Sequence, residues 1–202
     1  MSTAQIAPLV TDSQRIPGSA DDDARIIVRA KSDPSAFAPL YSRYFDAVYR
    51  YCYRRLGNPD SAADATALVF ARALAALPRY RDDATSFRSW LFAIAHNAVT
   101  DDLRARRPVE ALDAAAELPS PFPSPEDEAL RNETRQRVRA LLAELPPDQR
   151  HVLELRLAGL TGPEIAAALD RSLGSVKIMQ VRAFARLRAS LAPGNSAEQE
   201  AM

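Results

Sequence analysis

The chain has one cysteine, Cys52, so it can form no intrachain disulfide. That fits a reducing cytoplasm, the expected location. It has only six glycines: Gly18, Gly57, Gly159, Gly162, Gly174 and Gly194. They are scattered and stand mostly where helices should end, which excludes a phosphate-cradling glycine loop. Alternating β-branched runs are scarce, so the chain reads as helix and loop. No run of about 18 apolar residues is present, and no membrane insertion is expected. Residues Met1 to Ala20 are polar, lack the order of a signal peptide, and read as a disordered lead-in. Net charge is zero, from 26 basic and 26 acidic residues. A surface that attracts a polyanion must therefore come from local asymmetry.

Chemistry-bearing clusters are missing too. The two histidines, His96 and His151, stand far from each other and from Cys52 in sequence. No pair has ligand spacing, so no metal and no other cofactor is expected. His96 lies on the polar side of its helix, which points to solvent or a nucleic acid. Cys52 sits on an apolar stripe and reads as a buried thiol. The paired acids Asp82-Asp83 and Asp101-Asp102 accompany no nucleophile or base pattern. No catalytic residue and no small-molecule substrate are expected.

The 202 residues, 47% of them hydrophobic, suffice for one ordinary domain or two small ones. A short first helix is expected over Asp22 to Lys31. Asp33-Pro34 resembles a cap with proline at a first helical position. The next helix runs to Leu56, with Leu40, Tyr44, Val48, Cys52 and Leu56 spaced four apart. Pro39 is awkward there, since it removes a helix hydrogen bond. Gly57-Asn58-Pro59 ends that helix and caps an alanine-rich third one, Asp60 to Leu77. After a loop, Arg79 to Thr85, Ser86 caps the clearest helix. Phe87, Trp90, Leu91, Ile94, Ala95, Ala98, Val99 and Leu103 follow its three-four repeat. Arg104, Arg106 and Arg107 suit its C-terminus.

From Pro108 to Pro125 the composition changes to prolines and acids, the mark of a flexible linker. Ser124-Pro125-Glu126-Asp127 is a strong helix start, and that helix reaches Leu145. Another follows Pro146-Pro147 to about Ala158. Thr161-Gly162-Pro163-Glu164 is a capping box opening a short helix to Leu169. Asp170 to Leu173 turn the chain, Ser172 caps, and a last helix runs from Gly174 to Leu191. The expected fold class is all-α: two small helical domains, 21–107 and 126–192, joined by the linker 108–125 and flanked by the lead-in 1–20 and a loose tail 193–202.

The last two helices have the spacing of a helix-turn-helix, whose second helix enters the major groove. Val176, Val181, Phe184, Leu187 and Leu191 are expected to form the inward stripe. From Arg171 to Arg188 there are five bases, Arg171, Lys177, Arg182, Arg186 and Arg188, and no acid. That concentration is what phosphate contact needs. A solvated basic face on a plain bundle is the competing reading. In the first domain stand 12 of the 14 aromatics. Most are expected in the core. Those beside the Arg79–Ser86 loop, next to Arg81 and Arg88, could hold an unstacked base.

The run Phe87-Arg88-Ser89-Trp90-Leu91-Phe92-Ala93-Ile94-Ala95-His96-Asn97, continuing to Asp101 and Arg104, resembles the second conserved region of extracytoplasmic-function (ECF) sigma factors. Leu145-Pro-Pro-Asp-Gln-Arg-His-Val-Leu-Glu-Leu-Arg, with Glu164-Ile-Ala-Ala-Ala-Leu and Gly174-Ser-Val-Lys, resembles their fourth. The resemblance covers residues 22 to 191. It implies a factor that binds core RNA polymerase and promoter DNA and is held by an anti-sigma factor. It implies polymerase binding through Asp64, Ala67, Leu68 and Phe70. Minus-ten recognition falls to Arg81, Ser86, Arg88, Trp90, Asn97, Asp101 and Arg104. Minus-thirty-five recognition falls to Arg171, Ser172, Ser175, Lys177, Ile178, Met179, Gln180, Arg182 and Arg186. Two departures stand out. Ala67-Leu68 replaces the family's usual Gln-Glu, so an apolar or weaker polymerase contact is expected. Ile178, Met179 and Gln180 depart from the usual recognition helix, so an altered minus-thirty-five preference is expected. The alternatives are a helix-turn-helix regulator that binds operators alone and a helical adaptor that binds only proteins.

Overall fold

The computed structural model describes residues 20–81, 86–106 and 136–191. These residues hold eight α-helices and two short 3-10 turns, with no strand among them. The all-α expectation holds. The linker 108–125, the helix start at Ser124, the tail 193–202 and most of the lead-in lie outside the described residues.

Helix α1 is Ala20–Ala30 and α2 is Ala38–Leu56. Between them the Asp33 carboxylate accepts the Ser35 N–H at 3.0 Å and caps a 3-10 turn, Pro34–Phe37. Pro39 falls in the first turn of α2, where its missing N–H is not needed. Leu40, Tyr44, Val48 and Cys52 are buried as their spacing requires. Burial pushes the Cys52 thiol up to about 11, so it is an inert core group. Gly57 ends α2 in the left-handed region, φ +77°, and Asn58 caps α3, Pro59–Ala76. By length and composition the stretch Pro59–Arg79 could span a membrane. Here Ala62, Ala65, Val69, Ala73 and Leu77 are buried, and α3 packs against α2 and α4. It is the core helix of the N-terminal bundle.

Helix α4 is Phe87–Arg106. The Ser86 hydroxyl accepts the Ser89 N–H at 3.2 Å, as an N-cap should. The expected stripe is inward: Phe87, Leu91, Ala95, Ala98 and Val99 are buried, and Trp90, Ile94 and Leu103 half-buried. Phe92 is also buried, on a different side, edge-on to Tyr51 at 5.7 Å. So α4 is covered on two sides.

The second half comprises α5, described over 136–143, α6 (Pro147–Leu157), α7 (Gly162–Ala168) and α8 (Leu173–Ser190). The capping box is complete: Thr161 N–H donates to the Glu164 carboxylate at 2.8 Å, and Glu164 N–H to the Thr161 hydroxyl. Asp170, at φ +50°, turns the chain toward α8, and Ser172 caps α8 through the Ser175 N–H at 3.2 Å.

One expectation fails in α8. Val181 is 69% exposed, Leu191 59% and Phe184 41%. The inward stripe is instead Val176 and Ala183, flanked by half-buried Met179, Gln180 and Leu187. From Val176 the helical repeat leads to 179, 180, 183 and 187, and a step of five to Val181 leaves that face.

The two halves are packed together. Val152, Leu155, Leu160, Ile165 and Val176 share one buried cluster with the N-terminal bundle. Helix α7 lies against α4, and α6 against α2.

Candidate nucleic-acid interface

The exposed polar side of α4 gathers several expected residues. Asn97, Asp101 and Arg104 are exposed, and Trp90 is half-buried. At 3.6 residues per turn, positions 90, 97, 101 and 104 fall within one arc. Trp90 is held by Tyr80, 4.8 Å between ring centroids, and by Phe87 at 5.5 Å. Its indole is therefore a fixed plate at the edge of the core. Asp101 pairs with Arg72 of α3 at 3.5 Å. Both partners are well exposed, so the pair contributes little stability. Arg81 is exposed beside residues 82–85, which lie outside the described part.

Ser86 and Arg88 are placed elsewhere. Arg88 lies about 160° around α4 from Trp90. Its Nε and Nη2 donate to the two Glu164 carboxylate oxygens at 2.9 and 2.7 Å, a bidentate fork. The Ser86 hydroxyl reaches the same carboxylate at 3.1 Å. Burial pushes the Glu164 carboxyl up, but Arg88 and Thr161 outweigh it and hold it below its ordinary value. In this arrangement these two residues join domains rather than line the open face.

Helix α8 shows most of its circumference. Lys177, Ile178, Arg182 and Arg186 are exposed, as is Arg171 before the helix. Arg171 lies 3.8 Å from Asp148. Ser172 is the cap and Ser175 is half-buried. Met179 and Gln180 flank the buried stripe, so of the unusual trio only Ile178 faces squarely out. Val181 and Phe184, expected in the inward stripe, are exposed as well. On α3, Asp64, Ala67 and Leu68 share an exposed face. Phe70 does not join them. It is 5% exposed and packs on Phe37, Tyr41 and Phe45, which corrects its expected contact with polymerase.

His96 does not face solvent as expected. Its ring meets that of His151 edge-on, centroids 4.6 Å apart. Among the described residues no group of three His, Cys, Asp or Glu could hold a metal.

Comparison with known proteins finds matches to both halves of the chain. Residues 40–109 match the family model for Sigma-70 region 2, and residues 135–187 that for Sigma-70 region 4. The chain is 34% identical over 193 residues to the ECF RNA polymerase sigma factor BldN of Streptomyces coelicolor, covering 90% of this chain and 71% of the relative. It is 37% identical over 170 residues to the ECF RNA polymerase sigma factor ShbA of Streptomyces griseus, covering 79% and 89%. It is 34% identical over 164 residues to the ECF RNA polymerase sigma-E factor of Escherichia coli, covering 76% and 85%. Among solved structures, CnrH in complex with the cytosolic domain of CnrY aligns with a TM-score of 0.66 at 30% identity, covering 86% of this chain and 97% of that one. The sigma factor RpoE of Bartonella quintana, in complex with the anti-sigma factor NepR, shares the fold at a TM-score of 0.59 and 21% identity, covering 76% and 94%.

Proposed function

Since this chain belongs to the ECF family of RNA polymerase sigma factors, we propose that its two exposed faces read the two promoter elements. The protein directs core polymerase to promoters and is restrained by an anti-sigma factor. Members of this family are transcription initiation factors and not enzymes. The observation that carries the reading is the α4 arc of Trp90, Asn97, Asp101 and Arg104. A helix-turn-helix alone serves many regulators; an aromatic plate beside hydrogen-bonding groups suits an extruded base. Capture of that base offsets the unstacking of the minus-ten element, so melting needs no ATP site on this chain.

Helix α8 docks in the major groove of the minus-thirty-five element. Lys177, Arg182 and Arg186 meet phosphates, the capped N-terminus at Ser172 favours another, and Ile178 meets a thymine methyl. Substituting Lys177 by alanine weakens binding on all sequences and flattens the salt slope by about one. On α3, Leu68 makes an apolar polymerase contact where the family usually has polar ones. Leu68→Lys is expected to weaken core binding about tenfold, roughly 1.4 kcal/mol, as read by competition against the wild type. The domains, 21–107 and 126–192, divide these tasks, and the cytoplasm is where polymerase and promoter meet.

Run-off transcription with purified core polymerase tests the reading. Discrete start sites that depend on this chain are expected. Specific duplex binding by the chain alone, with no effect on start-site choice, would instead make it a stand-alone regulator.

A further inference from the structure

The chain's only two histidines are brought ring to ring across the domain boundary, His96 from α4 and His151 from α6. We propose that this pair is a proton-sensitive latch: the two domains stay docked while both rings are neutral, and acid releases them.

The surroundings of the pair are hostile to positive charge. On α2, Tyr51 donates or accepts at His96 Nδ1, 3.3 Å away, and the Arg55 charge acts on both rings. On α4 stands Arg104, and on α6 stand Arg150 and Asp148. Arg171, before α8, lines the same shallow crevice with Asp148, Leu169 and Met179. Asp148 is the carboxylate that acts on His96, and it lies 3.8 Å from Arg171. The nearby Glu154 carboxylate is already bound by Arg55 at 3.2 Å and Arg150 at 2.7 Å. A proton on either ring therefore meets its neighbour and several guanidinium groups.

The interface has slack for release. Arg54 Nε and Arg55 Nε are buried there without a hydrogen-bond partner. A buried polar network that is only partly satisfied is held less firmly than an apolar one. Both rings are half-buried, so protons reach them.

The sign follows from linkage. Burial first, and Arg55 next, hold His96 down to about 4 and His151 down to about 3. The undocked rings return toward about 6.5. The open state binds more protons below that value, so docking is strongest above it and is lost as pH falls toward 4. Between pH 7.5 and 5.5 the opening constant rises about 100-fold for two wholly shielded rings, and on the order of tenfold for rings partly screened by water.

Opening matters to the function proposed above, on which this consequence alone rests. Elements at minus ten and minus thirty-five are roughly 25 base pairs apart, about 85 Å of duplex. A compact chain of 202 residues is only about 43 Å across. The docked domains cannot reach both elements on straight DNA.

Small-angle scattering of the full chain tests the latch. The wild type is expected to be compact at pH 7.5 and extended at pH 5.5. His96→Gln/His151→Gln, with neutral rings replaced by neutral amides, should stay compact at both. His151→Arg should be extended already at pH 7.5. A wild type whose size ignores pH, or a double variant that opens like it, would overturn the proposal. Circular dichroism checks folding of each variant. Should the double variant unfold, imidazole titration of the wild type decides: a steep, coupled titration of both rings, with its midpoint between about 5.5 and 6.5 and coincident with the expansion, supports the latch, and independent titration at about 6.5 with no change in size sinks it. These readouts need no promoter, so they stand apart from the transcription assay.

Discussion

The two helices proposed to face DNA are held in different ways. Helix α8 is anchored by one narrow stripe, Val176 and Ala183 with half-buried flanks, and shows the rest of its surface. Helix α4 is gripped on two sides, by α2 and α3 and by α7, and shows one polar arc. A duplex groove accepts a protruding rod, so α8 needs circumference. An extruded base needs a fixed plate and nearby hydrogen-bonding groups, so α4 needs rigidity. On the proposed reading, the difference in burial follows the difference in task.

The sharpest way to break this comparison is at the junction that grips α4 and α2 from the C-terminal side. Glu154 is 0% exposed and binds Arg55 and Arg150. Glu154→Ala leaves two guanidinium groups facing an empty site. Loss of about 3–5 kcal/mol is expected in urea unfolding, with loss of the contact between α6 and α2.

The α8 anchor comes next. Ala183→Leu inserts volume into the stripe and should destabilise by about 1–3 kcal/mol. Equal stability would mean that the stripe lies elsewhere. The caps compare the two helices directly. Ser86→Ala and Ser172→Ala each remove a side-chain acceptor and should each destabilise by about 1 kcal/mol. The Ser86 change should cost somewhat more, because that hydroxyl also reaches Glu164. The smallest effect is expected at Val181. Val181→Ser should change thermal stability by less than about 0.5 kcal/mol, while altering minus-thirty-five binding.

Much of this was legible in the sequence. The Thr161 capping box, the Asn58 and Ser172 caps and the Gly57 stop are local rules, satisfied by neighbouring atoms. The α4 stripe was legible because its apolar residues keep one period over five turns. The α8 stripe was not, since Ile178, Val181 and Phe184 lie outside, where apolar identity misleads. Phe70 was assigned outward by resemblance, although its size and neighbours place it in the core. The docking of Arg88 on Glu164 and of His96 on His151 joins residues 76 and 55 positions apart. No local pattern encodes such a contact; only the packed fold produces it.

Photo-crosslinking tests the account most directly. A reactive group at Asn97 or at Ile178 is carried into the complex of full chain, core polymerase and promoter DNA. The account predicts that position 97 marks the minus-ten element and position 178 the minus-thirty-five element. Both positions marking one element, or neither marking promoter DNA, would contradict it.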